Sequence, residues 1–211
     1  NTNNYFGANP ITSVGRGGVV LVPFLDINCN GVRDANEPKA DGLNLRVGGG
    51  HVEHIKKDTS IRITGLESYN EYLIELDRAS FDNVAWQIRK ATIKVAVEPN
   101  YFKQIEVPIS VVGEVSGYVE LSENNTKNGL GRIIVELYNQ KNKSVAKILT
   151  ESDGYFSFSG LAPGNYTARI DQSQLNKLKM TVSAEKIPFT IKANIEGDVQ
   201  DGVEFVLQKK Q

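Results

Sequence analysis

Apolar residues in this chain fall in short runs that alternate with polar ones. Glycine, asparagine, aspartate and proline separate the runs. Leu43-Asn44-Leu45-Arg46-Val47 has the two-residue period of a half-buried strand, and Gly18-Val19-Val20-Leu21-Val22 is a continuous β-rich run. The chain also repeats itself at an offset of about 95 residues, the mark of a duplicated unit. Ile61-Arg62-Ile63-Thr64-Gly65-Leu66, then Tyr72, answers Phe156-Ser157-Phe158-Ser159-Gly160-Leu161, then Tyr166. Ile105-Glu106-Val107-Pro108-Ile109 answers Val203-Glu204-Phe205-Val206-Leu207. Helical signal is confined to 80–87 and 172–178, where one or two turns following a strand-ending aspartate could cap a sandwich end. The expected fold is all-β, two tandem Ig-like β-sandwiches with only short helical turns.

This organisation predicts a lead-in segment at 1–16, a first sandwich at 17–109 and a second at 110–211. The junction from Ile109 to Gly113 is short, apolar and poor in serine and proline, which predicts a nearly fixed relation between the two modules.

The candidate chemistry lies just after the first β-run. Residues 26–37 read Asp-Ile-Asn-Cys-Asn-Gly-Val-Arg-Asp-Ala-Asn-Glu, a full match to the calcium-loop pattern D-x-[DN]-x-[DN]-G-x5-E. Calcium takes about six to eight oxygens, and such a loop offers them at alternate positions. Asp26, Asn28 and Asn30 occupy positions one, three and five, and Gly31 stands at six, where the chain turns sharply. Val32 would offer its carbonyl, Asp34 would act directly or through water, and Glu37 would close the shell bidentately. The bland alternative is a polar turn that shares the spelling. An EF-hand needs flanking helices, but Pro23 would interrupt one before the loop and strand-like patterns lie on both sides. The expectation is a fixed clamp between two strands rather than an opening sensor.

Composition narrows the function classes. Among 211 residues, 24 Lys and Arg stand against 25 Asp and Glu, and no basic stripe interleaved with aromatics marks a nucleic-acid surface. No apolar run is long enough to span a bilayer as a helix. The chain begins at Asn1 rather than Met, as a mature or excised fragment would. Cys29 is the only cysteine, which rules out an internal disulfide. At loop position four its side chain is expected to point away from the ion, a bystander because calcium avoids sulfur.

Two stretches resemble known families. Thr150-Glu151-Ser152-Asp153-Gly154-Tyr155-Phe156-Ser157-Phe158, continuing through Leu161-Ala162-Pro163-Gly164-Asn165-Tyr166, resembles the signature of carboxypeptidase-regulatory-like domains, which are transthyretin-like sandwiches. Val22-Pro23-Phe24-Leu25-Asp26 and the loop after it resemble the B-type, calcium-binding repeats of Gram-positive serine-aspartate-repeat surface proteins. The resemblance implies accessory modules of exported bacterial proteins, serving as stalks, spacers or interaction domains. The second half departs from the loop pattern at 120–129, where alternate-position oxygens are missing, so no second site of the same kind is expected. Lys–Asn isopeptide links occur in related modules, but no partner trio is placed by sequence here.

Catalysis lacks obvious parts. His51-Val52-Glu53-His54 is the only histidine cluster, and on a strand His54 would point away from His51 and Glu53, poor geometry for zinc. A solvated loop is the favoured reading there. Trp86, Tyr101 and Phe102 would suit a sugar-stacking platform, although a Trp86 that plugs one end of the first sandwich is favoured. The sequence reading is therefore a non-catalytic spacer or interaction segment of an exported bacterial protein, extracellular, at the cell surface or in the periplasm, with calcium as its cofactor. Its partners would be an unidentified protein or glycan and neighbouring domains of a longer chain. The alternatives are a carbohydrate-binding module or an accessory domain pair of a larger secreted hydrolase.

Overall fold

The computed structural model describes residues 15–124 and 126–210. Most of the expected lead-in therefore lies outside the described residues. In chain order the strands are β1 (Arg16–Asp26), β2 (Leu45–Val47), β3 (His51–Ile55), β4 (Ser60–Glu67), β5 (Glu71–Leu76), β6 (Trp86–Gln87), β7 (Thr92–Ala96) and β8 (Phe102–Val111). They continue as β9 (Gly113–Glu123), β10 (Thr126–Gly129), β11 (Ile134–Asn139), β12 (Ser144–Leu149), β13 (Tyr155–Leu161) and β14 (Gly164–Ile170). The helix α1 (Gln172–Leu178) precedes β15 (Met180–Val182), β16 (Ile187–Ile191) and β17 (Val199–Lys209). The protein is all-β, with Ig-like sandwich sheets and a single short α-helix among the described residues.

Two compact units emerge, and they are not the contiguous halves that the repeat suggested. The first holds the described residues up to Phe24, Pro38–Phe81 and Ile88–Pro108. The second holds Leu25–Glu37, Asp82–Gln87 and the chain from Ile109 onward. The candidate loop thus packs with the second unit, although the sequence places it in the first module. Long-range pairing causes the difference. Trp86 and Gln87 pair with Val111 and Ser110, and the Val112 amide donates to the Ala85 carbonyl at 2.9 Å.

In the first unit, β3, β4, β1 and β8 lie side by side, and β2, β5 and β7 form the second sheet. β1 is buried along nearly its whole length, as a strand covered on both faces must be. Strand β5 instead alternates: Ile74 and Leu76 are buried, while Glu71, Leu73 and Glu75 are exposed. Leu21, Phe24, Leu43, Ile63, Leu66 and Ile74 are fully buried in this unit.

In the second unit, β10, β9, β17 and β15 form one sheet, with β13 also paired to β9. The other sheet runs β12, β11, β14, β16. Its core gathers Val115, Val119, Val135, Leu137, Phe156, Phe205 and Leu207. Gly117 and Gly129 are required by close approach. A Cβ would stand 1.9 Å from the Val203 carbonyl oxygen at Gly117 and 1.7 Å from that of Asp153 at Gly129.

The repeat is real at the level of strands. β4 pairs antiparallel with β1, and β13 pairs antiparallel with β9. Each pairing shifts register at the matched glycine, Gly65 (φ 73°) and Gly160 (φ 117°), whose positive φ suits a bulge. The matched tyrosines also share a role. The Tyr72 hydroxyl accepts from the Glu67 amide at 2.9 Å, and the Tyr166 hydroxyl donates to the Ala162 carbonyl at 2.7 Å. Both fasten a strand to the turn before it, as the tyrosine of an immunoglobulin-type corner does.

One helical expectation needs correction and the other holds. Residues 80–87 are not helical; Asn83 closes a turn, accepting from Ala85 through its side chain and from Trp86 through its carbonyl, and the chain then enters β6. Gln172–Leu178 is a helix, because Asp171 caps it through a 2.7 Å bond from the Gln174 amide. Asp153-Gly154 forms a turn, with the Gly154 amide donating to the Glu151 carbonyl at 3.0 Å, and joins β12 to β13 across two sheets.

Candidate metal centre

The loop begins where β1 ends, at Asp26, and its own side chains wind it. The Asp26 carboxylate accepts from the Asn30 amide at 3.0 Å and from the Gly31 amide at 2.9 Å. Asn28 Oδ1 accepts from the Asn30 amide at 2.9 Å, and Asn30 Oδ1 from the Val32 amide at 2.6 Å. Such Asx turns turn the backbone every two residues, which explains the need for short oxygen side chains at alternate positions. Glu37 closes the loop by accepting from Ile27 at 2.9 Å on Oε1 and from Asp34 at 3.0 Å on Oε2. Gly31 has φ 80°, and Cys29, not foreseen as a special position, also adopts a left-handed backbone at φ 57°.

Every named position therefore takes part in one closed loop, with Val32 supplying an exposed residue whose amide is held by Asn30. The oxygens also retain capacity. A carboxylate has about four acceptor sites. Asp26 and Glu37 each use two for backbone amides, one on each oxygen. Asp34 Oδ2 instead receives both asparagine amide groups, from Asn28 at 2.7 Å and from Asn30 at 3.2 Å.

Asp26 is 1% exposed and Glu37 4%, and among the described residues no Lys, Arg or His amine forms an ion pair with Asp26, Asp34 or Glu37. Burying a carboxylate is costly unless it is hydrogen-bonded and paired or bound to a cation. Among the described residues no group of three or more His, Cys, Asp and Glu side chains is placed to hold a metal. Asp26, Asp34 and Glu37 are therefore not drawn together as a carboxylate cluster. A calcium shell in this loop would draw on asparagine and carbonyl oxygens besides the carboxylates, and the donor set fits a hard cation.

The other candidates do not assemble. His51, Glu53 and His54 lie on β3, not in a loop, opposite Thr64, Arg62 and Ile61, and all three are exposed. Trp86 belongs to the second unit, whereas Tyr101 and Phe102 belong to the first. Its indole N–H donates to the Ile195 carbonyl at 2.7 Å, and the residue is half-buried. The thiol of Cys29 donates to the Val111 carbonyl at 3.4 Å, a contact that no local sequence signal reveals.

At 120–129, where no second loop was expected, β9 pairs with β10 in a regular antiparallel ladder. Its acids meet lysines: Lys127 pairs with Glu120 at 3.0 Å and Lys209 with Glu123 at 2.6 Å. A further polar cluster ties β11 to β12 and β14. Lys147 and the Tyr138 hydroxyl both bind Glu136 and hold its carboxyl below the ordinary range, while Arg169 lies 4.3 Å over the Tyr138 ring.

Comparison with known proteins adds one family. Residues 121–207 match the SdrD B-like domain. The matched half is the one whose motif resembles carboxypeptidase-regulatory-like domains, and the candidate loop lies outside it. No curated protein matches the chain. Among solved structures, the minor pilin GBS52 of Streptococcus agalactiae is similar over 92% of this chain and 97% of its own, with 14% identity and a TM-score of 0.41. The shaft pilin SpaA of Lactobacillus rhamnosus GG is similar over 93% and 98%, at 9% identity and TM-score 0.37. The Bacillus anthracis TIE protein gives 17% identity and TM-score 0.39 over 92% of this chain, which spans only 34% of that chain.

Proposed function

We propose that this chain is a non-catalytic structural segment of a bacterial surface protein, with calcium held by the Asp26–Glu37 loop. The observation that carries the structural role is the match of 121–207 to the SdrD B-like domain within an all-β chain. The likeness of the stretch around the loop to B-type repeats of Gram-positive surface proteins supports the surface setting. Neighbouring domains of a longer chain are the natural partners of such a segment.

Calcium, when bound, supplies the positive charge that Asp26, Asp34 and Glu37 lack. Asp26 and Glu37 would hold it through their spare acceptor sites, with Asn28, Asn30, the Val32 carbonyl and Asp34 completing the oxygen set. The loop's backbone bonds already draw these groups into one turn, and binding would rearrange the loop to bring their oxygens onto the ion.

Limited trypsin digestion of the full chain, with calcium or with EGTA, tests the reading alongside a hydrolase panel and a glycan array. The expected result is slower cleavage with calcium and no turnover. Catalysis by this chain, or a saturable sugar signal lost in Trp86→Ala, would overturn the structural role.

A further inference from the structure

We propose that the Asp26–Glu37 loop and the Asp82–Gln87 segment form one cooperative element, so that the state of the loop is read at the chain's single tryptophan, Trp86. The inference rests on the calcium reading of the loop and extends it to a specific mechanical partner.

The path is short and largely backbone. Strand β8 lies between β1, whose last residue is Asp26, and β6, which carries Trp86. At the end of β8 two adjacent residues are gripped from both sides. The Val111 carbonyl accepts from the Cys29 thiol at loop position four, and Val111 pairs with Trp86. The next amide, that of Val112, donates to the Ala85 carbonyl at 2.9 Å. Val111 and Val112 are each only 2% exposed.

The opposite side of the segment is fastened as well. Trp86 donates to the Ile195 carbonyl at 2.7 Å, and Asn83 Nδ2 donates to Glu196 at 3.1 Å. Gly197, at φ 81°, leaves no room between them. A Cβ there would stand 2.5 Å from the Ala85 Cβ and 2.8 Å from the Val112 carbonyl oxygen.

Close-packed interiors do not deform continuously, so a loop rearrangement that moves Cys29 must be absorbed at Val111 or passed to Trp86. Contacts that share residues are the ones whose energies fail to add. Coupling of this kind is reciprocal: whatever factor the loaded loop contributes to the segment, the segment contributes to calcium affinity.

The test uses the full chain. Calcium chloride is titrated into EGTA-treated protein while calorimetry reads binding, and Trp86 emission and acrylamide quenching read the segment. Emission should change with the calorimetric midpoint, and quenching should fall. Binding with an unmoved Trp86 would overturn the coupling and leave the calcium reading standing; no binding would overturn both. In a second arm, Gly197→Ala, which lies outside the loop, should weaken calcium binding about fivefold or more, the low end of ordinary coupling. Should that variant not fold, Trp86→Phe, which keeps a ring but loses the bond to Ile195, should weaken binding in the same direction. Unchanged calcium affinity in a folded variant would overturn the proposal.

Discussion

After its opening strand, each repeat must turn the chain, and the two do so by different means. β1 runs into the Asp26–Glu37 loop, whose carboxylates and amides bind the loop's own backbone. β9 folds onto β10 in an antiparallel ladder from Thr126 opposite Glu123 to Gly129 opposite Glu120. The hairpin's acids are balanced by Lys127 and Lys209, whereas the loop's three carboxylates meet no cation among the described residues. One turn pairs its acids with lysines, and the other holds its acids through hydrogen bonds to its own backbone. The same place in a duplicated plan thus carries a lysine-paired hairpin in one repeat and, in the other, a loop that we propose takes calcium.

The largest expected effect concerns packing at the two turns. Gly129→Ala forces a Cβ into the Asp153 carbonyl and should cost about 3 kcal/mol, the upper part of ordinary overpacking. Gly31→Ala meets no atom within 4 Å and should cost only the left-handed strain, roughly 1–2 kcal/mol. Urea denaturation of both variants under chelation checks this, and equal losses would erase the distinction between a packed and an open turn.

Calcium should stabilise the chain by about 2.7 kcal/mol at a hundredfold excess over Kd. For a chain of this size that is a rise in melting temperature of roughly 5–10 °C. Glu37→Gln should remove most of the rise, whereas Glu123→Gln in the hairpin should keep it. A rise that survives Glu37→Gln would place the ion elsewhere.

A smaller effect sharpens the likeness of the repeats rather than their difference. Tyr166→Phe and Tyr72→Phe each lose one hydrogen bond and should cost about 1 kcal/mol or less. Tyr72→Phe should cost less, because Glu67 is exposed and water can take its amide. The ranking is read from paired denaturation curves, and a larger loss in Tyr72→Phe would reverse it.

The smallest effect is a pH dependence from the Glu136 cluster of the second repeat. Lys147 first, then Tyr138, lower the Glu136 pKa. That contribution is present above the unfolded value of about 4.3 and disappears as pH falls through the lower folded one. Lys147 is raised by Glu136, so its contribution holds below about 10.4 and is lost as pH rises through the folded value. Melting curves below pH 5 should fall less steeply for Glu136→Gln than for the natural chain. Parallel slopes would show that the cluster contributes nothing.

Much of this contrast was legible in the chain. The period of the apolar runs revealed the strands, and Gly65 with Gly160 and Tyr72 with Tyr166 aligned the repeats, because a bulge and a corner each need one residue type. The loop's internal bonds followed from the spacing of its oxygens, since Asx turns are local. Other features were hidden because they depend on contacts remote in sequence. Nothing in Leu25–Glu37 or Asp82–Gln87 announces packing with the chain beyond Ile109. Nor does the pattern show that β3 pairs with β4 while β12, its counterpart between the repeats, pairs with β11. The choice of sheet is made by the neighbours. Residues 80–87 misled for a related reason: Asn83 and the pairing of Trp86 with Val111 outweigh a weak local helical preference.

Calorimetric titration of the full, EGTA-treated chain with calcium chloride tests the central distinction most directly. One saturable site is expected, lost in Glu37→Gln and kept in Glu123→Gln. Absence of saturable binding, or a site indifferent to Glu37, would contradict the assignment of the cation to the Asp26–Glu37 loop.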